Sequence, residues 1–137
     1  MDREFQYRAH IQEIPSIRKD LQFLEEEWAI PESEVRQILV IIEEIFSNIV
    51  RYAFEDMLEH AVEIRLGISD SQIEIEIIDD GIAFNPLDYQ MGPLADPATS
   101  DAGGMGLTLI RAFSTNISYA RRSGKNHLKI TKRVKRK

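Results

Sequence analysis

Two polar side chains set into an apolar helix face are the first candidates for chemistry. The stretch VIIEEIFSNIVRYAF, residues 40–54, carries Val40, Ile41, Ile42, Ile45, Phe46, Ile49 and Val50, an apolar surface at helical spacing. Glu44 and Asn48 interrupt it four residues apart, so both side chains leave the same face. A carboxylate and an amide on a largely buried helix cost free energy unless something hydrogen-bonds or coordinates them. Alone, the pair reads first as a solvated stripe on an amphipathic helix.

Two later motifs add to it. The first is Asp79-Asp80-Gly81-Ile82-Ala83-Phe84-Asn85-Pro86, which stops an alternating strand pattern abruptly. A carboxylate at a strand end followed by glycine allows a sharp turn and close approach of a ligand to the backbone. Such a carboxylate can accept a hydrogen bond from an exocyclic amine such as that of adenine. An ordinary turn after a strand is the plainer reading of Asp-Gly alone. The second is Gly103-Gly104-Met105-Gly106-Leu107, directly before an apolar helical pattern. Glycines at a helix start expose N–H groups where the helix dipole is positive, an arrangement suited to phosphates. Neither the Walker A pattern nor G-x-G-x-x-G is matched.

The elements that must position these residues follow from periodicity. Phe5, Tyr7, Ala9 and Ile11 share one face of a strand predicted over 3–11, with His10 on it. Pro15 and Ser16 open a helix with Ile17, Leu21, Leu24 and Trp28 on one stripe. Pro31 interrupts the pattern, and Ser33 is placed to cap a second helix running to about Phe54. Residues 61–68 and 73–79 alternate as a hairpin joined by Ser69–Gln72. Residues 86–102 hold three prolines without periodicity and read as a lid-length loop. After the glycine cluster come a helix and two strands, around Ile117 and Tyr119 and around Leu128 and Ile130, with Arg122–Asn126 as their turn. The layout is α+β, with helices on one face of a sheet dominated by antiparallel pairs.

Composition sets the bounds. The 137 residues, 43% apolar and 29% charged, fit one soluble domain over 1–137 with a core of its own. The lack of cysteine excludes disulfides, thiolate metal sites and cysteine nucleophiles, and three scattered histidines (His10, His60, His127) argue against a His-based zinc site. A net charge of −6 argues against direct nucleic-acid binding. The basic stretch 131–137, TKRVKRK, is expected to be a frayed tail. With no membrane span and no signal-peptide core in MDREFQYRAH, the chain reads as cytoplasmic.

The three motifs together, E-x-x-x-N on a helix, D-x-G-x-x-F-N-P after a strand and G-G-x-G-L before a helix, resemble the N, G1 and G2 boxes of the GHKL (Bergerat-fold) ATPases. Within them the chain looks most like the anti-sigma-factor serine/threonine kinases, and the resemblance covers nearly the whole sequence. It implies a two-layer α/β sandwich whose mixed, mainly antiparallel sheet is covered on one face by about three helices. It implies ATP and Mg²⁺ as cofactors and assigns roles residue by residue. Glu44 is the general base and Asn48 the Mg²⁺ ligand. Asp79 binds the adenine amine, and Gly81 gives the base room, with Ala83 and Phe84 beside it. Gly103, Gly104, Met105, Gly106 and Leu107 line the phosphates, Arg51 lies near them, and 87–102 closes as the ATP lid. Ala83 stands where the family often has a second glycine, and Tyr52 where it often has histidine.

By the same resemblance the function is phosphorylation of a serine on a STAS-domain anti-anti-sigma partner, with sequestration of a sigma factor; homodimers are typical of such kinases. Two other functions share the boxes. One is an ATP-dependent interaction module without phosphotransfer; the other is a histidine-kinase-like ATPase domain acting in trans.

Overall fold

The computed structural model describes residues 2–54, 56, 58–85 and 110–135. Strand β1 (Asp2–Arg8) leads through a single 3₁₀ turn into helices α1 (Ile14–Asp20), α2 (Phe23–Glu26) and α3 (Glu32–Tyr52). Hairpin β2 (Ala61–Ser69) and β3 (Gln72–Asp79) follows, and after residues 110–113, which are helical, hairpin β4 (Asn116–Arg122) and β5 (Lys125–Arg133). The strands form one sheet in the order β1-β2-β3-β5-β4, and every pairing among the described residues is antiparallel.

The helices cover one face of that sheet. Val35, Ile38, Ile41, Ile42, Ile45, Phe46 and Ile49 of α3 are buried against Val62, Ile64 and Leu66 of β2, Ile73, Ile75 and Ile77 of β3, and Leu128 and Ile130 of β5 in one apolar cluster. Each such isoleucine contributes roughly 1.5–3 kcal/mol by leaving water. The other face is a solvated lattice of charges: Arg65 reaches Glu76 at 3.5 Å, Lys129 reaches Glu74 at 3.4 Å, and Arg122 reaches Glu76 at 3.7 Å. Exposed pairs of this kind add little individually. The expected two-layer α+β sandwich is therefore present. No helix among the described residues is long and apolar enough to cross a membrane.

Four local expectations need correction. Strand β1 stops at Arg8 because its partner β2 begins at Ala61, opposite Arg8; the Ala9 N–H still donates to the His60 carbonyl at 2.9 Å, and beyond it the chain enters the 3₁₀ turn at Ile11. His10 accordingly sits off the strand, 3.3 Å from Glu59. The helix predicted through Trp28 breaks after Asp20 into α1 and α2. On a continuous helix Phe23 would lie off the Ile17–Leu21–Leu24–Trp28 stripe; the break turns it into the core, edge-on to Trp28 at 4.9 Å. Helix α3 begins from Pro31, whose carbonyl accepts from both Glu34 and Val35 N–H groups at 3.0 Å, so Ser33 lies inside the helix.

The stretch from Thr131 is the fourth. Thr131, Lys132 and Arg133 belong to β5, the Val134 N–H donates to the Ser71 carbonyl at 2.8 Å, and the Lys132 ammonium donates to Gln37 Oε1 at 2.7 Å. Its basic composition concealed a strand whose inward lysine spans to α3. Burial holds the Lys132 ammonium below the usual lysine range.

Candidate functional site

Strand alternation places the first site residue. Ile73, Ile75 and Ile77 of β3 face the helices, and period two puts Asp79, the strand's last residue, on that same face. Asp79 is only 3% exposed. Cross-strand register sets Asn126, the second residue of β5, directly opposite it. The Asp79 Oδ1 accepts from the Gly81 N–H at 2.9 Å and from Asn126 Nδ2 at 2.9 Å. Among the described residues both donors fall on Oδ1, which leaves Oδ2 as an acceptor at the end of the sheet. Burial pushes the carboxyl above the ordinary aspartate range, and the hydrogen bonds from Asn126 and Gly81 oppose it; the neighbouring Asp80 charge raises it further and Arg121 lowers it.

Asn126 reaches further than Asp79. Its Nδ2 also donates to the Ile82 carbonyl at 2.7 Å, and its Oδ1 accepts from the Phe84 N–H at 3.1 Å, from Arg121 Nη1 at 3.1 Å and from the Tyr119 hydroxyl. Arg121 Nη1 donates as well to the Gly81 carbonyl at 2.7 Å. Sequence reading missed both residues. The sequence pattern places Asn126 in a turn over Arg122–Asn126, but the turn is the pair Ser123-Gly124, with φ of 52° and 75°, as a two-residue hairpin requires. Counting back two residues from the inward Leu128 would have placed Asn126 on the helix face.

Helix α3 supplies the second group. Glu44, Asn48 and Tyr52 recur every four residues on one stripe of it. Asn48 is 2% exposed, Glu44 is half-buried and Arg51 is exposed at the last turn. The Tyr52 ring lies 6.0 Å from that of Phe84, in the segment that follows Asp79. Through Tyr52 the last turn of the stripe meets the segment that follows β3. Phe84 is half-buried and Ala83 exposed. Gly103, Gly104, Met105, Gly106 and Leu107, with the lid expected over 87–102, lie outside the described residues.

One tight contact fixes the helix against the strand end. The Ile82 N–H donates to the Ala53 carbonyl at 2.8 Å, just past the end of α3. A Cβ at Gly81 would stand 2.3 Å from that carbonyl oxygen and 2.8 Å from the Ala53 Cβ. Both are atoms of the backbone or fixed to it, so the space at Gly81 is required by the helix end itself. Gly81→Ala is expected to cost roughly 2–3 kcal/mol, an overpacking penalty, read as a lower urea midpoint at unchanged slope. An unchanged midpoint would mean that helix and turn separate freely.

His60 braces the same corner from the other side. Its Nδ1 is 3.0 Å from Asp80 Oδ1, its Nε2 2.5 Å from Asp56 Oδ1, and its ring stacks on Phe54 at 4.2 Å. The hydrogen bond with Asp56 above all, then that with Asp80, raises its proton affinity despite some desolvation. Among the described residues no three His, Asp or Glu side chains gather into a metal cage.

The chain matches the family model of the histidine kinase-like ATPase domain over residues 7–132. It is similar to the serine/threonine-protein kinase BtrW of Bordetella bronchiseptica, 37% identical over 91 residues, which are 65% of this chain and 63% of BtrW. The chain thus spans less than two thirds of that relative's length. An anti-sigma F factor of Caldanaerobacter subterraneus is 29% identical over 75% of this chain and 73% of its own. The serine-protein kinase RsbW of Bacillus subtilis is 25% identical over 66% of this chain and 60% of its own. Among solved structures, the RsbU and RsbW domains of a Mycobacterium tuberculosis protein superpose with a TM-score of 0.69 at 16% identity, covering all of this chain and 33% of that one. At that identity the likeness is one of fold.

Proposed function

The chain belongs to the family of histidine kinase-like ATPase domains, and from that premise we propose that it is a Mg·ATP-dependent protein serine/threonine kinase of the anti-sigma-factor type. Its substrate is a serine on a STAS-domain anti-anti-sigma protein, and its second partner is a sigma factor that it sequesters. The observation that carries the nucleotide site is the buried carboxylate of Asp79, with Oδ1 held by two donors and Oδ2 left to accept from a base. Relatives named as serine kinases and anti-sigma factors support the choice of reaction and partners.

Asp79 Oδ2 takes the exocyclic amine of adenine, and Phe84, held through its N–H by Asn126, flanks the base. Glu44 removes the proton from the incoming serine hydroxyl as its oxygen bonds to the γ-phosphorus and the bond to the ADP oxygen breaks. Asn48 fits Mg²⁺: its amide oxygen is a hard donor held deep on the helix stripe, and Mg²⁺ favours few protein ligands with phosphate oxygens and water. The ion, when bound, neutralises charge on the phosphate oxygens. Glu44 stands one helical turn from Asn48, so base and metal ligand share one rigid support. Gly103, Gly104, Met105, Gly106 and Leu107 complete the phosphate cradle.

Titration calorimetry with Mg·ATP and Mg·GTP tests the site. Saturable binding of ATP, with GTP much weaker because it presents a carbonyl where adenine has its amine, is the expected result. Equal affinity for both would remove Asp79 from base recognition, and no binding of either would remove the nucleotide site.

A further inference from the structure

Asn126 is 2% exposed, and both N–H groups of its amide are engaged, one by Asp79 Oδ1 and one by the Ile82 carbonyl. Its oxygen meets three donors, the Phe84 N–H, Arg121 and Tyr119. Only one orientation of the amide works. Reversed, it would set an acceptor against a carboxylate and a carbonyl, and a donor against an N–H and a guanidinium.

Resting on the nucleotide reading above, we infer that Asn126 is the positioning residue of the base site, fixing the plane of the Asp79 carboxylate so that Oδ2 selects a base bearing an exocyclic amine. The last torsion of an aspartate is broad and two-fold, so one hydrogen bond from the Gly81 N–H leaves the plane free to turn. The second, from Asn126, comes from a different strand and stops that rotation. The same amide holds Ile82 and Phe84, so the carboxylate and the turn beside it form one body. A fixed carboxylate oxygen keeps an acceptor aimed at the base, rewarding an amine and repelling a carbonyl, whereas one free to turn can swing away from either and discriminates less. Asn126 touches no reacting atom; it acts through Asp79.

The test compares affinities for Mg·ATP and Mg·ITP in the wild type, Asn126→Ala and Asn126→Thr, with a melting curve for each. Inosine triphosphate presents a carbonyl in place of the adenine amine. The wild type should prefer ATP. Asn126→Ala should lose about tenfold more affinity for ATP than for ITP, the worth of one well-placed hydrogen bond, so the ratio collapses even where the loosened Phe84 weakens both. Asn126→Thr, whose hydroxyl can donate to Oδ1, should recover part of the preference; if the alanine variant does not fold, a reduced ATP/ITP ratio in the threonine variant is the supporting result. A folded variant that weakens both nucleotides equally, or keeps the wild-type ratio, overturns the inference and leaves Asn126 a structural pin. A wild type without preference for ATP overturns instead the reading of the base site on which the inference rests.

Discussion

Glu44→Gln should bind Mg·ATP within a few-fold of the wild type and transfer phosphate about 10²–10⁴-fold more slowly, the span that a positioned general base contributes. Glutamine keeps the length and shape of the side chain on the half-buried stripe of α3 and removes its ability to take a proton. In the proposed site adenine is taken by Asp79 at the end of β3 and not by helix α3, so recognition of the base should not pass through Glu44. Nucleotide binding measured by calorimetry and transfer measured in a single turnover should therefore separate. A parallel loss of both would mean that Glu44 supports the fold or the phosphates, and a transfer rate like that of the wild type would remove it from the chemistry.

Asp79→Asn should have the opposite signature. The asparagine oxygen still accepts from Gly81 and Asn126, so the corner of the fold persists, but an NH₂ now stands where Oδ2 was and meets the adenine amine donor to donor. If Asp79 accepts from the base as proposed, losing that hydrogen bond to a charged acceptor should lower ATP affinity on the order of 10–100-fold. Stability moves the other way at neutral pH. Because burial raises the folded-state pKa of Asp79, its contribution is favourable below the ordinary aspartate range and is lost as pH rises through the folded value. At pH 7 the wild type carries the cost of a buried charge that the variant lacks. The melting temperature of Asp79→Asn should thus equal or exceed that of the wild type at pH 7, and the difference should fall away below the ordinary carboxylate range. A variant that melts much lower at pH 7 would make Asp79 a structural residue.

This opposition between binding and stability is the expected mark of a functional carboxylate. A core position opposite Val62 and in line with Ile73, Ile75 and Ile77 would be filled more cheaply by another isoleucine. The same strand alternation made Asp79 legible in the sequence: three inward isoleucines predict where the fourth inward side chain points. Helix α3 was legible for a similar reason, since its apolar residues recur so regularly that Glu44 and Asn48 stand out. Asn126 was not. Beside Ser123-Gly124 its residue type suggests a turn, and only the pairing of β3 with β5 reveals that it faces a carboxylate 47 positions earlier in the chain. The break after Asp20 and the strand hidden in the basic segment were missed on similar grounds. Phe23 reaches the core only when the helix is interrupted, and Lys132 is drawn inward by Gln37, a partner from α3. Local pattern reports period and propensity; it is silent on contacts made across the fold.

The most direct measurement is the intact mass of a STAS-domain protein incubated with Mg·ATP and this chain, wild type or Glu44→Gln. One phosphate on a serine of the STAS protein with the wild type, and none on the same timescale with the variant, is the result expected of a kinase whose base is Glu44. An unmodified STAS protein, across all those encoded beside it and with ATP binding demonstrated in the same sample, would contradict the kinase and leave a nucleotide-dependent binding module.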